Sequence, residues 1–155
     1  MSRFAAGLGL VAVLAAGGRG ADEADRKKAE ASERAGLAGT WVCVSSEVNG
    51  VKRGEKESRD QTFAFEGNRF VQGDDATGDE IVGTYKLDLS GKRKVIVTTV
   101  PAGGRAATIR YLYERDGDTL KVGAHLLPIG PLPTDFTAPE GSRRMTATFK
   151  RAARK

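Results

Sequence analysis

His125 is the only histidine of the chain, and it is the first residue to ask for chemistry. A hydrolase triad would use it as general base between a nucleophilic serine and an orienting acid. Serines and acids are plentiful, but no Gly-x-Ser-x-Gly elbow presents a nucleophile, and one imidazole does not hold zinc without several acids or thiolates. Placed just before Leu126-Leu127-Pro128, His125 reads as a rim or loop residue. Asp74, Asp75, Asp79 and Glu80, with Gly73 and Gly78, bring the oxygens and glycines of a calcium site. Their spacing departs from the Asp-x-Asp-x-Asp-Gly pattern, so a solvated hairpin loop is the better reading. Ala102-Gly103-Gly104-Arg105 has glycines for a phosphate cradle, but no helix pattern follows to add its dipole, and a turn is expected. Cys43 is the only cysteine. It forms no disulfide within the chain, and inside a strand run it behaves as a small buried hydrophobe. Nothing here assembles a catalytic set. The expectation is a protein without enzymatic activity, with no catalytic residue, cofactor or metal.

Aromatic residues offer a different chemistry. Phe63, Phe65, Tyr85 and Tyr111 recur on one face of successive strand-like runs, joined by Trp41 and Tyr113. A concave apolar lining with a few hydroxyls suits a small, partly apolar ligand. The same rings would also simply fill a small core, the more ordinary role for such residues. Both readings give these four residues the interior.

The elements that must carry them alternate with period two. Strand-like runs span residues 40–48, 61–66, 69–72, 81–88, 94–100, 106–115, 119–124 and 143–150. They are separated by Asn49-Gly50, Gly67-Asn68, Ser90-Gly91 and Asp116-Gly117, all strong turn signals. Residues 51–60 read as a polar loop and 73–79 as an acidic one. The prolines within 128–139 bar that segment from a central strand. Alternation from Trp41 onward gives each strand one buried and one wet face. About eight such antiparallel strands make a sandwich or a closed barrel, and closure leaves no free edge. An eight-stranded barrel is just wide enough to be filled by side chains or to hold one small ligand.

The rest of the chain sets an address. Residues 1–20 run from a basic start through an apolar stretch, 4–16, to Gly17-Gly18-Arg19-Gly20. That is the order of a secretory signal peptide, with cleavage expected after Gly20. The apolar stretch is shorter than the roughly 20 residues of a membrane span. Export, periplasmic or extracellular, is therefore expected, with no stable membrane span after cleavage. Residues 21–36 are charged and lack an apolar face, which suits a spacer or loose helix. The barrel domain is expected over 37–151 and a basic tail over 152–155. The net charge is +5, and Arg3 and Arg19 would leave with the signal. Acids are interleaved with the bases, and no aromatic residue accompanies the basic C-terminal end at 150–155, which reads as frayed and solvated. Nucleic acid is thus a poor partner. A monomer is expected.

Taken in order, Leu37-Ala38-Gly39-Thr40-Trp41, Phe63-Ala64-Phe65-Glu66-Gly67-Asn68-Arg69-Phe70 and Gly83-Thr84-Tyr85-Lys86-Leu87-Asp88 resemble a known family. The run from Tyr113 to Lys121, Pro133-Thr134-Asp135-Phe136 and Phe149-Lys150-Arg151 complete the likeness. The family is the small exported lipocalin-like domain of planctomycete-type bacteria. Two positions depart from its pattern: Gly123 stands where a cysteine is frequent, and Leu132 where an arginine is. The resemblance implies an all-β, antiparallel, eight-stranded lipocalin-like barrel. It makes Gly39 and Trp41 a structural motif, with Trp41 at the closed end, and implies no reaction. Three functions remain open. The first is an exported binder of a small apolar ligand or an envelope component, with Phe63, Phe65, Tyr85 and Tyr111 as interior contacts. The second is a solid-cored structural or interaction module of the envelope. The third is a hydrolase built on His125.

Overall fold

A computed structural model of the chain describes residues 18–153. Most of the expected signal segment and part of the basic tail lie outside the described residues. The elements follow in the order α1 (Gly18–Leu37), β1 (Gly39–Val48), β2 (Val51–Arg53), α2 (Glu55–Ser58), β3 (Gln61–Glu66), β4 (Arg69–Asp74), β5 (Asp79–Asp88), β6 (Lys94–Ala102), β7 (Arg105–Asp116), β8 (Thr119–His125) and β9 (Arg144–Arg151). Strands β1 and β3 to β9 pair with their neighbours throughout, and β9 returns to pair with β1. The result is a closed antiparallel eight-stranded barrel, consistent with a lipocalin-like one. Closure satisfies the backbone groups that an open edge would leave to water.

Each run read from alternation forms a strand, most of them a residue or two longer than the pattern. Alternation works because inward residues share one dry space: Trp41, Phe63, Phe65, Phe70, Tyr85, Ile96, Tyr111, Tyr113, Leu120, Val122, Ala147 and Phe149 belong to a single buried cluster.

Two expectations need correction. Residues 51–60 are more than a loop. Asn49 and Gly50 both take positive φ, 48° and 89°, and reverse the chain so that β2 pairs with the last residues of β1. The short helix α2 follows, its start held by the Gly54 amide donating to Glu57 Oε2 at 3.1 Å. Buried Ser58, at its end, faces Ser46 Oγ at 3.3 Å. Strict alternation also fails once. Cys43 pairs with Phe149 but Ser45 pairs with Thr148, so Val44 is the extra residue of a β-bulge. Past the bulge Ser46 and Val48, opposite Ala147 and Met145, face the side that Trp41 and Cys43 face before it. The charged spacer takes the helical form, one of the two expected for it, as the 20-residue α1. Most of α1 is exposed; in its last turns Glu30, Glu33, Arg34 and Gly36 are partly buried and Leu37 fully.

The loop between β8 and β9, residues 126–143, lies outside the barrel. Val95 and Leu112 are 4% and 3% exposed yet stand outside the interior cluster. Register aligns them with Gly123 and Thr146 in one row across the sheet. A side chain at Gly123 would touch the Phe136 ring and the Asp135 carbonyl, so the missing side chain lets the loop lie on the sheet. Asp135 organises this stretch by accepting from the Thr137 amide and hydroxyl and from Arg144 Nη1. The prolines that excluded a strand here leave room for this covering role, and Pro133 is buried in it.

Candidate functional site

The four interior residues singled out by sequence, Phe63, Phe65, Tyr85 and Tyr111, do come together. They are 5%, 2%, 2% and 5% exposed. They touch one another and two further rings. Phe63 stacks on Phe149 at 4.5 Å and meets Phe70 and Tyr111 edge-on at 5.1 and 5.6 Å. Phe65 meets Tyr85 at 5.1 Å and Phe70 at 5.4 Å. Edge-to-face geometry at these distances is the favoured arrangement of packed rings. Burial pushes the Tyr111 hydroxyl up to about 12. Phe70 and Phe149 complete the cluster beyond the aromatic residues that the sequence singles out. Phe149 shares parity with Met145 and Ala147, and Phe70 lies directly across the Gly67-Asn68 turn from Phe65, so both signals were present.

At one end of the barrel the last turns of α1 form a polar cap. Trp41 Nε1 donates to the Leu37 carbonyl at 2.8 Å, and Arg151 lies 4.2 Å above the Trp41 ring. Arg151 also donates to the Gly36 and Ala38 carbonyls and to Asp118. The end of β9, read as frayed, is therefore a clamp on α1, holding the carbonyls on either side of Leu37 and the face of the Trp41 ring. Glu33 accepts from Lys94 and from the Tyr113 hydroxyl, the latter at 3.0 Å, while Arg34 covers the Tyr85 ring at 4.8 Å. Burial works against the Glu33 carboxylate. The hydrogen bonds from Lys94 and Tyr113 and the charges of Lys94 and Arg115 outweigh it and hold its pKa below the ordinary 4.5. Burial and the Glu33 charge push the Tyr113 hydroxyl far upward.

That depressed pKa has a testable consequence. Docking by Glu33 is fully present above about pH 4.5, the ordinary value, and is lost as pH falls through the lower folded value. Screening limits its worth to about 1 kcal/mol. Hydrogen exchange at the amides of residues 33–37 should accelerate on acidification relative to the β-strands. Glu33→Gln should show fast exchange at neutral pH and no acid step. Equal steps in both proteins would remove Glu33 as the cause.

The remaining candidates do not converge. His125 Nδ1 accepts from the Leu127 amide at 3.1 Å, and Gly130 lies flat against its ring. Among the described residues the hydrogen bonds of His125 are to the backbone of Leu127. Asp74 accepts from the Ala76 amide and from Gln61, and Asp79 donates its amide to Thr77, so the acidic segment is a hairpin turn. Cys43 is 2% exposed, donates to the Ser45 carbonyl at 3.3 Å, and burial pushes its thiol up. Gly103 and Gly104 form the β6–β7 turn with positive φ. Among the described residues no three of His, Cys, Asp and Glu gather in a metal-binding geometry.

The outer wall carries a groove of about 890 Å³ beside the capped end. Lys92, Arg93, Lys94, Arg115 and Lys121 line it together with Glu114, Asp116, Asp135 and Phe136. Periodicity did not reveal it, because its walls come from the 89–93 turn, the outward side of β7 and β8, and the covering loop.

Fold and site together define a helix-capped antiparallel barrel with rings packed through its middle and a charged outer groove. Comparison of the chain with protein-family models, curated proteins and solved structures returned no match.

Proposed function

We propose that this protein is an exported, non-enzymatic barrel that works as an interaction module of the cell envelope, using its outer surface rather than its interior. The observation that carries this reading is the ring cluster. Phe63, Phe65, Tyr85 and Tyr111, the residues that would line a ligand pocket, are packed against one another and against Phe70 and Phe149. A ligand entering there would have to displace rings already in favourable contact. The engagement of His125 with backbone supports a role without catalysis. Export is supported by the signal-like order of residues 1–20.

Native mass spectrometry of protein purified from its own envelope tests two parts of this reading, the filled interior and the cleaved signal. The expected spectrum holds one species, the chain cleaved after Gly20, with no added mass. A retained small molecule would restore the first reading, an interior binder. An intact N-terminus would overturn cleavage after Gly20 and leave residues 1–20 as an uncut anchor.

A further inference from the structure

Arg115 carries a charge that the rest of the protein leaves unanswered. Its guanidinium lies against the backbone of Gly36, where a β-carbon would overlap Nη2, Cζ and Nε. Its Nε is buried and has no hydrogen-bond partner among the described residues. No ion pair engages it there either. The Glu33 carboxylate feels the Arg115 charge but is taken by Lys94 and the Tyr113 hydroxyl. A buried donor without an acceptor is costly and asks for a reason. Packing on Gly36 also holds the guanidinium, so little side-chain freedom is left to lose on binding.

Arg115 lines the groove beside the capped end. It pairs with Leu120, which is fully buried, so it leaves β7 on the inward side and meets the groove at the barrel rim. Lys92 and Arg93 of the β5–β6 turn and Lys121 of β8 line the same groove. All three are exposed, and none forms an ion pair among the described residues. Acids in or beside the groove count against them. Asp135 is held by Arg144 and Thr137, Asp118 by Arg151 and Asp88 by Ser90. Glu114 and Asp116 line the groove without an ion pair, but they flank Arg115 on β7 and so leave the strand on its outer face. Glu114 also stands directly across from Lys121. Four unpaired bases therefore stand against two unpaired acids, and Arg115 lies on the other side of the strand from both.

A fixed guanidinium fork with further cations beside it suits a doubly charged oxyanion better than a single carboxylate. At about 890 Å³ the groove is larger than one such ion needs, and the partly buried Phe136 ring adds an apolar surface for an organic group. We propose that the groove binds a phosphomonoester carried on an apolar group, with Arg115 and Arg93 at the phosphate and Phe136 against the organic part. This names a ligand class for the outward-facing module and rests on that reading.

The test is a titration of the protein with phenyl phosphate followed by amide NMR. Signals of residues 92–94, 113–116 and 134–136 should move, and those of the β4–β5 hairpin should not. Benzenesulfonate, which keeps the ring but carries one charge, should bind at least about tenfold more weakly. Inorganic phosphate should also bind more weakly and leave residue 136 unmoved. Affinity should rise between about pH 5 and 7 as the phosphate gains its second charge. Arg115→Lys keeps the charge and loses the fork, and should weaken binding about tenfold. Arg93→Gln, in an exposed turn, should do the same with unchanged thermal unfolding, and it decides the matter if the Arg115 variant loosens α1. Equal binding of phenyl phosphate and benzenesulfonate, binding untouched by Arg93→Gln, or signal changes away from the groove each overturns the proposal. Inorganic phosphate binding as tightly as phenyl phosphate overturns the organic part. An open groove exchanges its occupant during purification, so a mass that survives washing with phenyl phosphate belongs to the interior and counts against the solid core instead.

Discussion

Phe63→Ala is expected to destabilise the barrel by about 3–5 kcal/mol, a large share of the 5–15 kcal/mol typical of a domain. Phe63 contacts Phe65, Phe70, Tyr111 and Phe149, so it joins β3 to β4, β7 and β9 across the interior. Truncation leaves a cavity lined by rings anchored on four strands that hydrogen-bond within a closed ladder, and such walls collapse poorly. The urea midpoint should fall by about 2 M at a typical slope. A loss below about 1.5 kcal/mol, with small apolar molecules then binding no better than before, would mean that the interior is loosely filled. That outcome would also undercut the solid-core reading.

Gly83→Ala should be nearly as damaging for the opposite reason. Gly83 lies where β5 bends: it pairs with Phe70 of β4, while pairing of β5 with β6 begins one residue later, at Thr84 opposite Thr99. A β-carbon at Gly83 would overlap the Thr99 carbonyl and stand 2.9 Å from Val100 Cγ1. The carbonyl belongs to a hydrogen-bonded strand and does not swing aside, so the barrel wall itself must shift. Overpacking against backbone costs about 3 kcal/mol. Gly67→Ala is the control: Gly67 has φ of 59° but open space around it, so only the conformational term of about 1 kcal/mol applies. Thermal unfolding of the two variants should separate them clearly, and equal losses would mean that backbone conformation, not contact, sets the cost at Gly83.

Much of the barrel was legible because strand formation is a local property. Side chains two residues apart share a face, and Asn-Gly or Asp-Gly reverses the chain whatever lies beyond it. Thus 61–66 with Phe63 and Phe65, and 106–115 with Tyr111 and Tyr113, announced both their conformation and their inward side. Gly39-x-Trp41 likewise marked the start of the first strand. The Val44 bulge was illegible for the same reason. An inserted residue changes which side every later residue faces, and only the register against Phe149 and Thr148 reveals it.

Contacts between distant residues belonged wholly to the tertiary structure. Period two says that an inner face exists but not what fills it, so pocket and packed core both stay open until Phe63 is placed on Phe149, 86 positions away in the sequence. A charged segment without an apolar stripe predicts no docking. Yet α1 is held by Arg151 and by Glu33 with Lys94 and Tyr113, because carbonyls at a helix end and a carboxylate find donors that only closure of the barrel brings near. The loop at 126–143 follows the same logic. Proline excluded a strand by local chemistry, whereas its seat on Gly123 and the outward reach of Ile129 depend on where the finished wall stands.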